Sequence, residues 1–222
     1  MNIASKPPKK AYKSVAMEGM IASWYAKNTG QNLAEFERDA ERIAARLKPG
    51  ARILEVAPGP GYLSIALARQ GFGVTGLDIS RSFVRIAAEN AGAAGVDATF
   101  RHGNAADIPY PDNSFDFIVC RAAFKNFADP VGALREMRRV AKPGAETLII
   151  DMSNVATDKA IAEIVDGMGL GAVDALVTRI TLRGLRNRAY SRADFERMAT
   201  EAGFTSIEIN AASIGFDVWL RT

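Results

Sequence analysis

Two short stretches hold the residues best suited to chemistry. Residues 55–61 read Glu-Val-Ala-Pro-Gly-Pro-Gly, and Asp78 closes the apolar run 72–78. Gly59 and Gly61 allow a backbone to approach a ligand closely, since no Cβ intervenes. A carboxylate at the end of a second strand suits the two hydroxyls of a ribose diol. A third segment reads Gly103-Asn104-Ala105-Ala106-Asp107, where an acidic side chain suits an adenine amino group. Each piece alone is common, because a strand-ending Asp often caps the next helix and Asp107 fits an ordinary loop. Their order and spacing outline an adenosine-shaped site.

The acceptor side is less marked. Arg121 and Lys125 follow an apolar run together with Phe124 and Phe127. They read either as a packed short helix or as an acceptor wall whose cations attract an anion or lower a nucleophile's pKa. Cys120 sits at the end of that run, where a small packed residue is expected rather than a reactive thiol. His102, the single imidazole, reads as structural before it reads as a base. Met17, Met20, Trp24 and Tyr25 form one stripe; Met168, Leu170, Arg179, Arg183, Arg186 and Tyr190 punctuate another. Such stripes usually belong to a core or a solvated face. Segments 14–30 and 152–190 are the candidates for a lid. Tyr12, Tyr25, Tyr110 and Tyr190 are phenolic hydrogen-bonders that the sequence does not rank.

The elements that must position these residues alternate. Helical spacing covers 15–27 and 32–47, ended by Lys48-Pro49-Gly50. Apolar strand runs at 52–57, 72–78, 97–102, 115–120 and 146–151 alternate with helices at 62–70, 81–91 and 130–141. Ser80 is a plausible N-cap. This alternation predicts a parallel sheet with helices on both faces, joined by right-handed crossovers. Residues 154–187 are mostly helical, and Ser191 opens a helix closed by Gly203. Strands at 204–210 and 213–220 are too close for a crossover, so they must pair antiparallel.

With 222 residues, 48% of them hydrophobic and 24% charged, the chain fits one globular domain without disulfides or a structural metal. One cysteine and one histidine exclude a multi-Cys or multi-His metal centre. No apolar run reaches the roughly 18 residues a membrane span needs. The start, Met-Asn-Ile-Ala-Ser-Lys-Pro-Pro-Lys-Lys, lacks a signal core. Net charge is +3, but Lys6, Lys9, Lys10 and Lys13 stand in residues 1–13 without any acid. The excess is thus a short basic tail, expected to be disordered, and the body 14–222 is no general polyanion binder.

ILEVAPGPGYLSIALA (53–68), VTGLDIS (74–80), GNAADIPYPDNSFDFIVC (103–120) and LREMRRVAKPG (134–144) resemble the successive motifs of class I S-adenosylmethionine-dependent methyltransferases, best the small-molecule branch of ubiquinone and menaquinone biosynthesis. The resemblance covers about residues 33–151 and the terminal hairpin. It implies a Rossmann-like α/β fold: a seven-stranded, mostly parallel sheet with helices on both faces and a C-terminal antiparallel hairpin. It implies S-adenosylmethionine as cofactor. Glu55 would order the first loop, Ala57, Gly59 and Gly61 would line the ligand, and Asp78 would bind the ribose. Ile79 would pack on the adenine, with Asn104, Ala106 and Asp107 around it, and Cys120 and Arg121 beside the transferable methyl. The family pattern is E/D-x-G-x-G-x-G, so Ala57 replaces the first glycine and Pro60 lies between the other two.

A dinucleotide fingerprint would instead continue to a third small residue where Ser64 stands, and no Tyr-x-x-x-Lys pair is present. A dehydrogenase therefore ranks below a methyltransferase. Asn/Asp-Pro-Pro-Tyr and Pro-Cys sequences, expected for amide or cytosine methylation, are absent. The expected acceptor is a small thiol, quinol, phenol or amine, with Arg121 and Lys125 as catalytic candidates. Met20, Trp24, Tyr25, Phe124, Met168 and Arg179 are the candidates to touch it. The expected protein is a cytoplasmic monomer or homodimer that engages neither membrane nor nucleic acid. A binding protein that senses the cofactor without transferring methyl is the alternative, and an RNA-associated enzyme using its Lys-rich tail is a further one.

Overall fold

A computed structural model describes residues 12–13, 17–30 and 33–222. The expected basic tail and the start of the first expected helix fall mainly outside these residues. The order is α1 (Gly19–Thr29), α2 (Leu33–Ala44), β1 (Arg52–Val56), α3 (Tyr62–Arg69), β2 (Gly73–Asp78), α4 (Arg81–Ala94), β3 (Ala98–His102) and β4 (Phe115–Arg121). A 3-10 turn at Phe124–Asn126 leads to α5 (Pro130–Val140), β5 (Ala141–Met152), α6 (Asp158–Gly167), α7 (Ala172–Arg186), α8 (Arg192–Ala202), β6 (Ser206–Ala211) and β7 (Gly215–Arg221).

The seven strands form one sheet in the order β3-β2-β1-β4-β5-β7-β6. Pairs among β1 to β5 are parallel, whereas β7 lies antiparallel to both β5 and β6. Only β7 therefore runs against the rest. Side chains alternate across the strands, so Leu54 and Val56 enter one core and Ile53 the other. The first core closes against α5 and α8 through Leu134, Met137, Phe195 and Met198. The second closes against α2 and α3 through Phe36, Ala40, Ile43, Leu63 and Leu67.

Local signals explain most element ends. The Ser80 side chain accepts from the Phe83 amide at 3.1 Å and starts α4. Ser191 and Asp194 form a reciprocal capping box at α8, which ends on Gly203 in the left-handed region (φ 88°). Two departures from the sequence reading stand out. Strand β5 begins at Ala141, not at 146, because a bulge opposite Phe115 and Phe117 absorbs Lys142-Pro143-Gly144 within the strand. The helical region 154–187 is two helices broken at Gly167–Gly171.

Candidate functional site

Strand order reverses between β1 and β4, and α/β sheets bind ligands outside the strand ends at such a point. A cavity of about 370 Å³ opens there, within the size range of small-molecule sites. Its floor is the β1–α3 turn. Glu55 lies there with Ala57, Pro58, Gly59 and Pro60. Asp78, Ile79, Gly103 and Ala105 form the next wall; Arg121, Lys125 and Asn126 come from the end of β4.

Asp78 lines the cavity with its carboxylate fixed from both sides. Its Oδ2 accepts from the Gly59 amide at 3.0 Å and its Oδ1 from the Ser80 amide at 2.8 Å. Each oxygen keeps further acceptor capacity. Burial raises its pKa to about 6, against the lowering effect of those two amides. Glu55 is buried too, and desolvation carries its pKa to about 7. Its partner is the Ser64 hydroxyl, donating to Oε2 at 2.5 Å. Ser64 stands where a dinucleotide fingerprint has its third small residue, and here it satisfies a buried carboxyl.

The turn bends through unusual backbone. Ala57 has φ 59° and Gly59 φ 55°, both left-handed. Gly61, at φ 82°, faces α4: a Cβ there would meet Ala87 at 2.9 Å and Phe100 at 3.1 Å. Gly61 thus packs α3 against its neighbours and does not line the cavity. Asn104, Ala106 and Asp107 also stand off the wall, where Gly103 and Ala105 take their place. The Asn104 side chain instead accepts from the Ala106 amide at 3.0 Å and shapes the loop.

On the acceptor side the structure rearranges the expectation. Arg121 lines the cavity, but Asp39 at 2.8 Å and Glu35 at 2.9 Å hold its guanidinium, and it lies 4.4 Å from the Phe36 ring centroid. Lys125 also lines it, with Nζ donating to Asp151 at 2.7 Å and to the Ala122 carbonyl at 2.6 Å. That ammonium is a structural staple. Trp24 and Tyr25 do reach the wall. Met20, one turn earlier, does not, and is 89% exposed. Phe124 is fully buried, stacked on Phe195 and edge-on to Phe127. Met168 lies outside the cavity, and Arg179 pairs with Asp166 on α6. Cys120 is fully buried, and desolvation pushes its thiol well above the ordinary range. It packs in the core and does not reach the cavity.

Several wall residues carry no sequence signal of their own. Tyr12 pairs with Phe127 in an isolated bridge, and Lys13 donates to the Lys125 carbonyl and the Tyr190 hydroxyl, each at 2.9 Å. The expected tail thus contains one wall residue, Tyr12, and a lysine that ties it to the loop after β4. Leu185 and Arg188 approach from α7 and its end, and Phe36 and Tyr62 from α2 and α3. Among the described residues no group of three His, Cys, Asp or Glu could hold a metal ion. No helix among them is long and apolar enough to cross a membrane.

Residues 54–149 match the family model of the methyltransferase domain. A demethylmenaquinone methyltransferase of Listeria welshimeri is 37% identical over 113 residues, 49% of this chain and 48% of its own length. A ubiquinone/menaquinone biosynthesis C-methyltransferase of Cupriavidus pinatubonensis is 36% identical over 115 residues, 50% of this chain and 47% of its own. The chain spans about half the length of these curated relatives. A solved structure from Methanococcus maripaludis, provisionally described as an S-adenosyl-L-methionine-dependent methyltransferase, matches with TM-score 0.76 and 25% identity. It covers 93% of this chain and 94% of its own.

Proposed function

We propose that this chain, which carries a class I methyltransferase domain with S-adenosylmethionine as its cofactor, methylates a small aromatic acceptor. The observation that carries the reading is Asp78. Two backbone amides fix its carboxylate at the edge of the cavity, leaving a lone pair on each oxygen for a ribose hydroxyl. Ile79 and Phe83 offer an apolar face beside it for a purine.

The cofactor supplies a methyl group on a sulfonium, already electrophilic. The protein's part is then to bind, orient and exclude water. Glu55, Ala57 and Gly59 shape the floor beneath the nucleoside. Arg121 and Lys125 are not bases in this reading, because each is a cation held by carboxylates. Tyr12, Trp24, Tyr25 and Phe127 give the acceptor space an aromatic lining. That lining supports an aromatic ring over a thiol or an aliphatic amine, and relatives named for menaquinone biosynthesis point the same way. The proposal includes a cytoplasmic monomer or homodimer, and a lid formed by the N-terminal segment, α1 and α7.

Calorimetric titration tests the site first. S-adenosylmethionine and S-adenosylhomocysteine are expected to bind at micromolar concentration. Asp78→Ala is expected to lose roughly 10- to 100-fold in affinity, the weight of hydrogen bonds to a charged acceptor. Binding of NAD alone would restore the dehydrogenase reading. A panel of phenols, quinols, thiols and amines, read by mass spectrometry, tests transfer. Tight S-adenosylhomocysteine binding with no methylated product from any of them would favour a sensor.

A further inference from the structure

Among the described residues three buried side-chain polar atoms lack a hydrogen-bond partner: Asn126 Oδ1, Thr147 Oγ1 and Arg179 Nε. Thr147 lies inside the sheet, and Arg179 donates to Asp166 through Nη2. Only Asn126 belongs to the cavity wall. A buried amide oxygen left unpaired is costly, and native structures keep such groups where something else completes them.

The backbone of Asn126 is pinned on both sides. Its amide donates to the Ala123 carbonyl at 2.9 Å, and its carbonyl accepts from the Lys13 amide at 2.8 Å. The neighbouring Lys125 is fixed by Asp151 through both its backbone amide and its ammonium. The side chain therefore sits at a fixed corner of the wall and is only 7% exposed. An amide oxygen only accepts, so its partner must donate. The surrounding wall is aromatic, with Tyr12, Trp24, Tyr25 and Phe127. A hydroxyl on an aromatic ring meets both conditions.

We infer that Asn126 Oδ1 is the specificity-determining contact for the acceptor, taking a hydrogen bond from the hydroxyl of an aromatic ring. The inference deepens the methyltransferase reading and rests on it for the role of the cavity. Sites built around a buried polar group reject analogues that leave it unpaired, whereas an apolar pocket discriminates weakly.

The test compares 1-naphthol with 1-methoxynaphthalene, which has the same ring and no donor. Binding to the full chain is titrated calorimetrically with and without saturating S-adenosylhomocysteine. The wild type is expected to prefer 1-naphthol at least tenfold. Asn126→Ala should lose that preference by weakening 1-naphthol alone, and Asn126→Asp, which keeps an acceptor oxygen, should retain it. All three proteins should melt within a few degrees of one another and bind S-adenosylhomocysteine equally. Equal affinity of the wild type for the two probes, binding of neither, or a preference that survives in Asn126→Ala overturns the inference. Failure of S-adenosylhomocysteine to bind the wild type overturns the cofactor reading alone, since the probe comparison without it still stands.

Discussion

Ala57 and Ala122 both hold left-handed backbone, at φ 59° and 58°, and both line the cavity. Left-handed residues with a Cβ cost about 1–2 kcal/mol, and they persist where surrounding bonds dictate them. Here the Ala57 amide donates to the Leu77 carbonyl at 2.8 Å and the Ala122 amide to the Ile150 carbonyl at 2.7 Å. Ala57→Gly should therefore stabilise the protein by about 0.5–1 kcal/mol once the added freedom of the unfolded chain is subtracted. Urea unfolding checks this, and a destabilised variant would show that the turn carries no strain. The two buried carboxyls supply a pH signature. Glu55 titrates near 7 in the fold against an ordinary 4.5. Between those values the native state holds a proton that the unfolded chain has released, so this group's contribution to stability falls as pH rises. Glu55→Gln should gain on the wild type in melting temperature from pH 5 to pH 8; a constant gap would refute it. Asp78, near 6, should make S-adenosylhomocysteine binding weaken as pH drops below about 6, since a protonated carboxyl loses acceptor capacity. At this scale the sequence showed which residues occupy the turn. It could not show that Ser64 answers Glu55, because that bond exists only once α3 lies against β1.

One loop between β4 and α5 decides the acceptor side, and its shape comes from another strand. Asp151, near the end of β5, accepts from the Lys125 amide at 2.8 Å, the Lys125 ammonium at 2.7 Å and the Met152 amide at 2.7 Å. Lys125 returns to the Ala122 carbonyl at 2.6 Å. The ends of two neighbouring strands are thereby tied together. Removing one member strands a buried charge, so Lys125→Met and Asp151→Ala should each cost about 3–5 kcal/mol. Asp151→Ala should cost more, since it also orphans two backbone amides. The double variant should cost less than the sum, and additive losses in thermal or urea unfolding would deny the coupling. The parallel strands were legible because they are continuous apolar runs, as buried strands must be. The staple was not, because Asp151 reads in sequence as an ordinary strand end. Lys125 drew notice for its charge, which the fold spends on Asp151. The α7 arginines show the same limit: their helical spacing is visible, but α6 supplies Asp158 and Asp166 to receive them.

The cavity is assembled from parts of the chain that the sheet does not connect. The strand ends make its floor, whereas Tyr12, Trp24 and Tyr25 come from before β1, and Leu185 and Arg188 come from after β5. The family match, confined to residues 54–149, contains the floor and none of these covers. The strand-end geometry of the sheet was accordingly the readable half, and the covers were readable only as stripes, because a stripe does not show what it faces. Met17 is held by the Ser80 hydroxyl, donating to its carbonyl at 2.6 Å, so the cap of α4 also anchors the chain leading into α1. Tyr12 lies close enough to Asp78 and Asp151 that their charges, after burial, help raise its phenol to about 12. At neutral pH it is a donor and a wall, not a base. A cover of this kind governs how fast a ligand leaves more than how the domain folds. Removing residues 1–13 should therefore lower affinity for S-adenosylhomocysteine about tenfold, chiefly through faster dissociation, with a melting temperature changed by only a few degrees. Stopped-flow displacement and calorimetry measure the two quantities. Unchanged dissociation would make the segment a passive tail. A collapse in melting temperature would instead make it part of the core, which the two backbone-level links at Phe127 and Asn126 argue against.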